Sequence, residues 1–299
     1  KFVDKKWGAE VDEEFGNFDY LMGADLDFSN PRVVKECEDW GRWYLDLTKV
    51  DGFRLDAVKH IDANFYKEWI QTLRDESKKE LFTVGEYWSA DVNRLHRYIT
   101  ETEGKISLFD VPLHYNFFNA SNDPNYNMSQ ILEHTLVKEN PCMAVTFVDN
   151  HDTQPGQALQ SFVQGWFKSI AYSIILLRND GYPCVFYGDY YGIEHDHIEP
   201  VNDLKTLMLI RKEKSYGLQH DYFDHNNFIG WTQEGDDEHI SSGLAVVISN
   251  AGDGYKRMYV GNQNVGETYI DCLGNCKEEV TIDEEGCGNF GVKSRSVSV

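Results

Sequence analysis

The stretch VDGFRLDAVKHIDANFYKEWIQTLRDESKKELFTVGEYW, residues 50–88, decides the fold of this chain. Its two apolar ends, 50–57 and 81–88, are typical of buried strands. The intervening segment 64–79 has apolar residues at the spacing of one helix face. A strand, a helix and a second strand in this order predict a parallel βαβ unit.

The same alternation extends from about residue 31 to 215, and it yields five apolar strands that are each followed by a helix. The first helix begins with Pro31 after Asn30, as helix N-termini often do. The predicted strands are 50–57, 81–88, 105–113, 144–150 and 182–188, and the predicted helices are 31–48, 64–79, 91–102, 128–138, 161–179 and 202–214.

The pattern fits an open doubly wound sheet or a (β/α)8 barrel. No glycine-rich phosphate loop follows any strand, so a nucleotide site is not expected. Polar residues gather just past the carboxyl ends of several strands, which favours the barrel because those ends build its active site. From about residue 220, short strands separated by Gly, Asn and Asp turns predict an antiparallel β domain, a sandwich.

The composition excludes several classes of partner. A net charge of −22 over 299 residues would repel nucleic acid and an anionic membrane surface. The longest apolar run, 169–177, is too short to cross a bilayer. An aromatic content of 14% suits a protein that stacks flat ligands such as sugar rings. We therefore expect a neutral substrate or a bound cation.

The six cysteines indicate a reducing compartment. We expect Cys37, Cys142 and Cys184 to be buried thiols, because they fall in predicted elements without metal-ligand spacing. Cys272, Cys276 and Cys287 leave a disulfide or a metal open, but the free-thiol interpretation is favoured. This favours a cytoplasmic protein. A secreted protein stays open because the chain starts at lysine rather than methionine.

Two strands of the opening stretch deliver carboxylates. In GFRLDA, Arg54 and Asp56 lie on one strand face, where the arginine would keep the aspartate ionised as a nucleophile requires. A structural ion pair is the alternative. In FTVGEYW, Glu86 precedes Tyr87 and Trp88, and an apolar aromatic wall favours the protonated carboxyl of a general acid. A helix-capping acid is the alternative there.

The segment FVDNHDTQ, 147–154, adds a third polar strand end. Asp152 is a candidate third carboxylate and His151 a donor to a substrate hydroxyl, whereas a metal site and a helix cap are the alternatives. A barrel would bring the three strand ends to one pocket. One ionised and one protonated carboxyl group flanking a bond is the arrangement used for glycoside hydrolysis.

DGFRLDAVKH (51–60), GEYW (85–88) and FVDNHD (147–152) resemble three signature regions of the α-amylase family, glycoside hydrolase family 13. Further segments, such as GYPCVFYGD (181–189) and RMYVGNQNVGET (257–268), resemble the liquefying bacterial α-amylases and their intracellular relatives. The resemblance covers essentially the whole chain. It implies endo-hydrolysis of α-1,4-glucosidic bonds in starch, glycogen and maltooligosaccharides with retention of configuration.

The resemblance also implies residue roles. Asp56 stands at the nucleophile position, Glu86 at the acid/base position and Asp152 at the position of the third carboxylate. Arg54 matches the arginine beside the nucleophile, and His151 the histidine that contacts the sugar at the cleavage point. Three further residues match positions that line the product-side subsites: Lys59, His60 and Trp88.

In these relatives a calcium ion lies between the barrel and an inserted loop domain. The matching ligands here are Asp19, Asp25 and the backbone carbonyl of His60. The aspartate-rich segment DYLMGADLD (19–27) suits a hard cation with oxygen ligands, and a solvated acidic loop is the alternative. We expect one Ca²⁺.

The first three barrel strands of the family are absent from these 299 residues, so the resemblance implies a partial barrel, strands four to eight. Residues 1–30 match the inserted loop domain (domain B) and calcium segment, 31–218 the C-terminal part of the catalytic barrel, and 219–299 the C-terminal antiparallel β domain. Five strands leave barrel edges exposed. We expect the chain to be the C-terminal part of a longer protein, with the N-terminal part as its partner.

Two alternatives to an endo-acting α-amylase stay open. A maltooligosaccharide-forming or transglycosylating enzyme would carry the same carboxylates. A catalytically incompetent fragment, used for carbohydrate binding, is a different class, and the presence of Asp56, Glu86 and Asp152 weighs against it. A product profile on starch distinguishes the endo-acting α-amylase from the maltooligosaccharide-forming or transglycosylating enzyme. An activity assay distinguishes either enzyme from the incompetent fragment.

Overall fold

The predicted parallel sheet and antiparallel domain are both present in the structure, a computed structural model that describes residues 26–299. The chain divides into two compact units. The first contains the described residues up to Val111 together with Met143–Val145. The second contains Pro112–Cys142 and Thr146–Val299.

Helices and strands alternate in the first unit, as the sequence predicts. Each helix begins where a side-chain oxygen of Asn30, Asp62 or Asp91 accepts the amide N–H two residues ahead, which satisfies a donor that the helix leaves free. The elements are α1 (Pro31–Thr48), β1 (Gly52–Leu55), α2 (Ala63–Ser77), β2 (Phe82–Gly85), α3 (Val92–Glu101) and β3 (Ser107–Phe109).

The strand register brings the carboxyl ends of β1 and β2 level. The two strands run parallel, with Gly52 opposite Phe82 and Leu55 opposite Gly85. A Cβ atom at Gly52 would lie 1.8 Å from the carbonyl oxygen of Phe82, so only glycine permits this approach. The register therefore places the residues that follow Leu55 and Gly85 beside each other.

The sheet continues through β4 (Ala144–Phe147) and β5 (Tyr182–Cys184), and the strand order follows the chain, β1-β2-β3-β4-β5. The pairs β2–β3 and β3–β4 are also parallel. This sheet, with helices between its strands, confirms the predicted partial barrel. The other helices are α4 (Val111–Asn122), α5 (Leu136–Glu139), α6 (Gly165–Leu176), α7 (Tyr187–Tyr191) and α8 (Leu204–Lys214).

The C-terminal strands are antiparallel, as predicted. One sheet has the order β13-β8-β7-β6, and two strand pairs, β12-β9 and β10-β11, accompany it. Its apolar core includes Met258 and Phe290. The strands are β6 (Gln219–Tyr222), β7 (Phe228–Gln233), β8 (Leu244–Ser249), β9 (Gly254–Tyr259), β10 (Thr268–Tyr269), β11 (Val280–Thr281), β12 (Cys287–Val292) and β13 (Ser296–Ser298).

The C-terminal sheet is attached to the end of α6 within the second unit. The indole N–H of buried Trp231 donates to the carbonyl of Leu177 at 2.8 Å. The guanidinium of Arg178 binds both carboxylate oxygens of Asp221 at 2.7 and 2.9 Å, the bidentate geometry of strong ion pairs. These contacts satisfy polar groups at the end of a largely apolar helix.

One predicted helix is wrong, and two predicted strands are present but shorter than expected. The strand predicted at 182–188 ends at Cys184, and α7 begins at Tyr187. The strand predicted at 105–113 ends at Phe109, and α4 begins at Val111 with Pro112 in its first turn, where proline needs no amide donor. The helix predicted at 128–138 is instead a short 3₁₀ turn, Met128–Gln130, followed by α5. His134, at φ 58°, adopts a left-handed conformation that interrupts any continuous helix.

The expected burial of the cysteines is only partly right. All six are free thiols, as favoured. Cys37 is half-buried, but Cys142 and Cys184 are exposed because they lie in a turn before β4 and at the end of the last strand of the sheet. Within residues 26–299, none of the helices combines the length and apolarity that a membrane span requires.

Candidate active site

Two carboxylates follow the level ends of β1 and β2. Asp56 comes directly after Leu55, and Glu86 directly after Gly85. Ladder-like hydrogen bonds continue past the strands, since Glu86 N–H donates to the carbonyl of Leu55 at 2.9 Å and Val58 N–H donates to that of Glu86 at 3.0 Å. The backbone of the two segments is therefore held together just past the carboxyl ends of β1 and β2.

The guanidinium of Arg54 connects these carboxylates. Its Nη1 pairs with Asp56 Oδ1, and its Nη2 lies 3.3 Å from Glu86 Oε2. The same Glu86 oxygen accepts the N–H of Ala57 at 3.3 Å. The two acids differ sharply in exposure, because Glu86 is 5% exposed whereas the Asp56 side chain is 74% exposed. The arrangement holds one enclosed and one open carboxyl group on a single cation.

The backbone at this edge is unusual. Ala57 adopts φ 44°, a left-handed conformation that is uncommon for residues other than glycine and that concentrates at functional sites. Beneath it, a Cβ atom at Gly85 would come within 3.2 Å of Leu108 and Val58. The absence of a side chain at Gly85 therefore permits close packing of β2 directly before Glu86.

The residues matched to product-side subsites lie beside this pair. Lys59 is buried, and its ammonium donates to the carbonyl of Trp88 at 3.1 Å, which fixes the start of the loop after β2. His60 ends the short 3₁₀ turn Val58–His60. Tyr87 is buried and packs on Tyr98 with ring centroids 5.4 Å apart, and an aromatic wall around the Glu86 carboxyl stays a prediction.

His151 and Asp152 belong to the second unit, in the turn that follows β4. The imidazole Nε2 of His151 lies 3.2 Å from Asp152 Oδ2, and both side chains reach solvent. The amide N–H of Asp152 donates to Asn150 Oδ1 at 2.9 Å. Contact of His151 and Asp152 with a substrate stays a prediction.

His114 escaped the sequence-based prediction of site residues. It is fully buried on α4, with its ring stacked on Phe147 at 5.2 Å. Its Nδ1 lies 2.6 Å from the carbonyl of Val148 and its Nε2 2.8 Å from the hydroxyl of Ser161. Burial lowers the pKa of His114 to about 4, so the ring is neutral and donates from Nδ1 to the carbonyl of Val148. Its Nε2 is then an acceptor for the Ser161 hydroxyl, which also has the carbonyl of Leu159 as an acceptor at 2.8 Å. His114 joins both ends of the polar loop after β4.

A buried charge cluster beneath the same loop was also missed. Lys168 pairs with Asp149 at 3.1 Å and with Asp189, and all three residues are buried. Burial raises the pKa of Asp149 to about 7. The positive charge of Lys168 lowers this pKa, whereas the negative charge of Asp189 raises it. The sequence signal was the charged lysine inside the apolar run WFKSIAYSIILL, which a buried helix tolerates only with a partner.

The predicted calcium ligands are mostly outside the described residues. Asp19 and Asp25 precede residue 26, and only His60 is described. Across residues 26–299, no three His, Cys, Asp or Glu side chains form a group suited to a metal ion. Two carboxylates and a backbone carbonyl are all oxygen donors, which is the ligand chemistry that Ca²⁺ prefers.

Two carboxyl groups at the carboxyl ends of adjacent parallel strands are the arrangement expected of a barrel glycoside hydrolase. Comparison with known families agrees. The family model "Alpha amylase, catalytic domain" matches residues 1–250, and the model "Alpha-amylase C-terminal" matches residues 244–299. The chain belongs to the α-amylase family.

Several characterised relatives align along almost the whole chain. An α-amylase of Geobacillus stearothermophilus is 52% identical over 99% of this chain and 54% of its own length. The cytoplasmic α-amylase of Escherichia coli K12 is 45% identical over 100% of this chain and 62% of its own length. The chain thus spans between about half and two thirds of these relatives.

Solved structures share the fold at low sequence identity. An Anoxybacillus α-amylase matches 93% of this chain and 65% of its own with a TM-score of 0.73 at 18% identity. An α-amylase of Geobacillus thermoleovorans, complexed with acarbose, matches 93% of this chain and 66% of its own with a TM-score of 0.70 at 19% identity. These similarities establish the architecture alone.

Proposed function

We propose that the protein hydrolyses α-1,4-glucosidic bonds within starch, glycogen and maltooligosaccharides, with retention of configuration. The observation that carries this proposal is the guanidinium of Arg54 that contacts both Asp56 and Glu86 at the ends of adjacent parallel strands. Family membership supports the same chemistry. The α-glucan would be the principal partner of this surface.

The two carboxyl groups divide the reaction. The exposed carboxylate of Asp56 attacks the anomeric carbon, while the enclosed carboxyl of Glu86 gives its proton to the leaving oxygen. A covalent glycosyl ester on Asp56 results. Glu86, now ionised, takes a proton from a water molecule that hydrolyses this ester, which restores both groups. Asp152 and His151 would hold sugar hydroxyls during both steps.

A calcium ion would join the acidic segment before α1 to the turn that ends at His60. Asp19, Asp25 and the carbonyl of His60 are the proposed ligands, and their oxygen chemistry supports this choice. When bound, the ion would supply structural support to the segment that follows Asp56, because His60 is only four residues further on.

The substitution Glu86→Gln in the full-length protein tests the acid/base assignment. Loss of the transferable proton should lower kcat on starch by about 10²–10⁴-fold while substrate binding persists. Glu80→Gln is the matched control, because Glu80 is exposed just before the amino end of the same strand. Turnover by the Glu86 variant close to that of the control would refute the assignment.

A maltooligosaccharide-forming activity is the second candidate. A glucan 1,4-α-maltohexaosidase of Bacillus sp. strain 707 is 47% identical over 99% of this chain and 57% of its own length. The same carboxylates would serve either activity, so the products distinguish them. Early accumulation of one oligosaccharide length favours this candidate, whereas a broad mixture favours random endo-hydrolysis.

A further inference from the structure

The polar turn after β4 has an outward and an inward half. The side chain of Asp152 is 34% exposed and that of His151 more so. Asp149 is 2% exposed and Thr153 is fully buried. The outward half is the part that the proposed reaction uses, and the inward half has no assigned role.

The inward half is bonded directly to the outward half. The hydroxyl of Thr153 donates to Asp149 Oδ1 at 2.7 Å, the closest of its acceptors, and it accepts the N–H of Asn150 at 3.0 Å. Asn150 Oδ1 in turn accepts the N–H groups of Asp152 and Thr153, both at 2.9 Å. A short chain of hydrogen bonds therefore leads from Asp149 to the backbone of Asp152.

Asp149 is itself anchored on its other oxygen. Oδ2 accepts the N–H of Val163 at 3.2 Å and lies 3.1 Å from the ammonium of Lys168. That ammonium also pairs with Asp189, whose second oxygen accepts the hydroxyl proton of Tyr172 at 2.7 Å. Buried charges persist in proteins when they are paired and hydrogen-bonded in this way. These contacts hold the Asp149 side chain in place within the second unit.

We propose that Asp149 and Thr153 are positioning residues that hold the turn presenting His151 and Asp152 to the α-glucan. The inference rests on the proposed function and adds to it two residues that do not contact the substrate. They act through Asn150 and the backbone of Asp152. A small displacement of a group that orients a substrate lowers the rate far more than it lowers stability.

Thr153→Val in the full-length protein is the direct test. Valine preserves the shape and removes the hydroxyl, so it breaks the hydrogen bonds of the side chain to Asp149 and to the backbone of Asn150. At a temperature well below unfolding, we expect kcat on starch to fall by about 10–100-fold with KM changed much less. Thr153→Ser should restore kcat to near the wild-type value, because it restores the hydroxyl.

Thr146→Val is the matched control. Thr146 is a buried threonine on β4, and within the described part of the chain its hydroxyl has no hydrogen-bond partner. Its replacement removes the same chemical group from the same segment without breaking a hydrogen bond. We expect wild-type kcat from this variant, so that a loss specific to Thr153 reports positioning rather than general destabilisation.

Amide hydrogen exchange gives a readout that does not need activity. In the Thr153→Val protein the amides of Asp152 and Thr153 should exchange about tenfold faster, since the acceptor Asn150 is no longer held. The Thr153→Ser and Thr146→Val proteins should exchange like the wild type. If the valine variant does not fold, Asp149→Asn replaces it in the same measurements. In that variant Lys168 still pairs with one carboxylate, that of Asp189.

The outcomes separate the two proposals. An active wild type together with a Thr153→Val protein of unchanged kcat and unchanged exchange overturns the positioning role and leaves the proposed function standing. A wild type without activity on starch refutes the proposed function. In that case the exchange rates alone decide the positioning role, and unchanged rates overturn it.

Discussion

Acidification should destabilise the protein through His114. In the folded state the pKa of this buried imidazole is about 4, compared with an ordinary value of 6.5. Between these values the unfolded chain binds a proton that the folded chain refuses, so stability falls as the pH falls from about 6.5 to about 4. A difference of about 2.5 units corresponds to a loss of about 3 kcal/mol in the free energy of unfolding.

The assay compares urea unfolding of the wild type and of His114→Gln at several values from pH 7 to pH 4. Glutamine does not titrate, so the part of the pH dependence that belongs to His114 should disappear from the variant. Other groups, including Asp149 with its raised pKa, titrate in both proteins and cancel in the comparison. Equal losses of stability in both proteins over this range would refute the buried neutral imidazole.

Two further predictions concern charge and metal. Lys168→Met should lower the free energy of unfolding by about 3–5 kcal/mol, because two buried carboxylates lose their shared cation; exposed Lys212→Met should change it by less than about 0.5 kcal/mol, and similar urea midpoints would contradict the cluster. Removal of calcium by chelation should lower the Tm of the full-length protein, because an ion at a free concentration of 100 Kd adds about 2.7 kcal/mol to the free energy of unfolding. Asp19→Asn with Asp25→Asn should abolish that dependence, and a Tm that ignores chelation would count against the site.

The fold was predictable where the local pattern and the tertiary environment agree. The first helix was predicted at its observed bounds because Asn30 and Pro31 mark its start and its apolar spacing persists to residue 48. The helix that begins at Val111 was not predicted, because an apolar run directly after a strand has no periodicity that distinguishes strand from helix. Pro112 was the available signal, since the first turn of a helix accommodates the fixed φ of proline and does not need its missing N–H donor.

The candidate site was predictable where its residues lie on or directly after a predicted strand. Arg54 and Asp56 share a strand face by alternation, and their ion pair is present. The contact between Arg54 and Glu86 needs the register of two strands, which depends on the close approach at Gly52. His114 and Lys168 bind partners 19 to 47 residues away, and a spacing of this kind leaves no local pattern.

The two aspartates of FVDNHDTQ illustrate how one polar cluster serves two purposes. Asn150 accepts amides two and three residues ahead, which reverses the chain and leaves His151 and Asp152 at the tip. The same reversal returns Thr153 to Asp149, where the hydroxyl meets the carboxylate in the interior. A buried carboxylate is tolerated there because an ammonium and two donors satisfy it. Substitutions at the tip should therefore affect substrate contacts while the interior hydrogen bonds persist, and substitutions in the interior should loosen the tip itself.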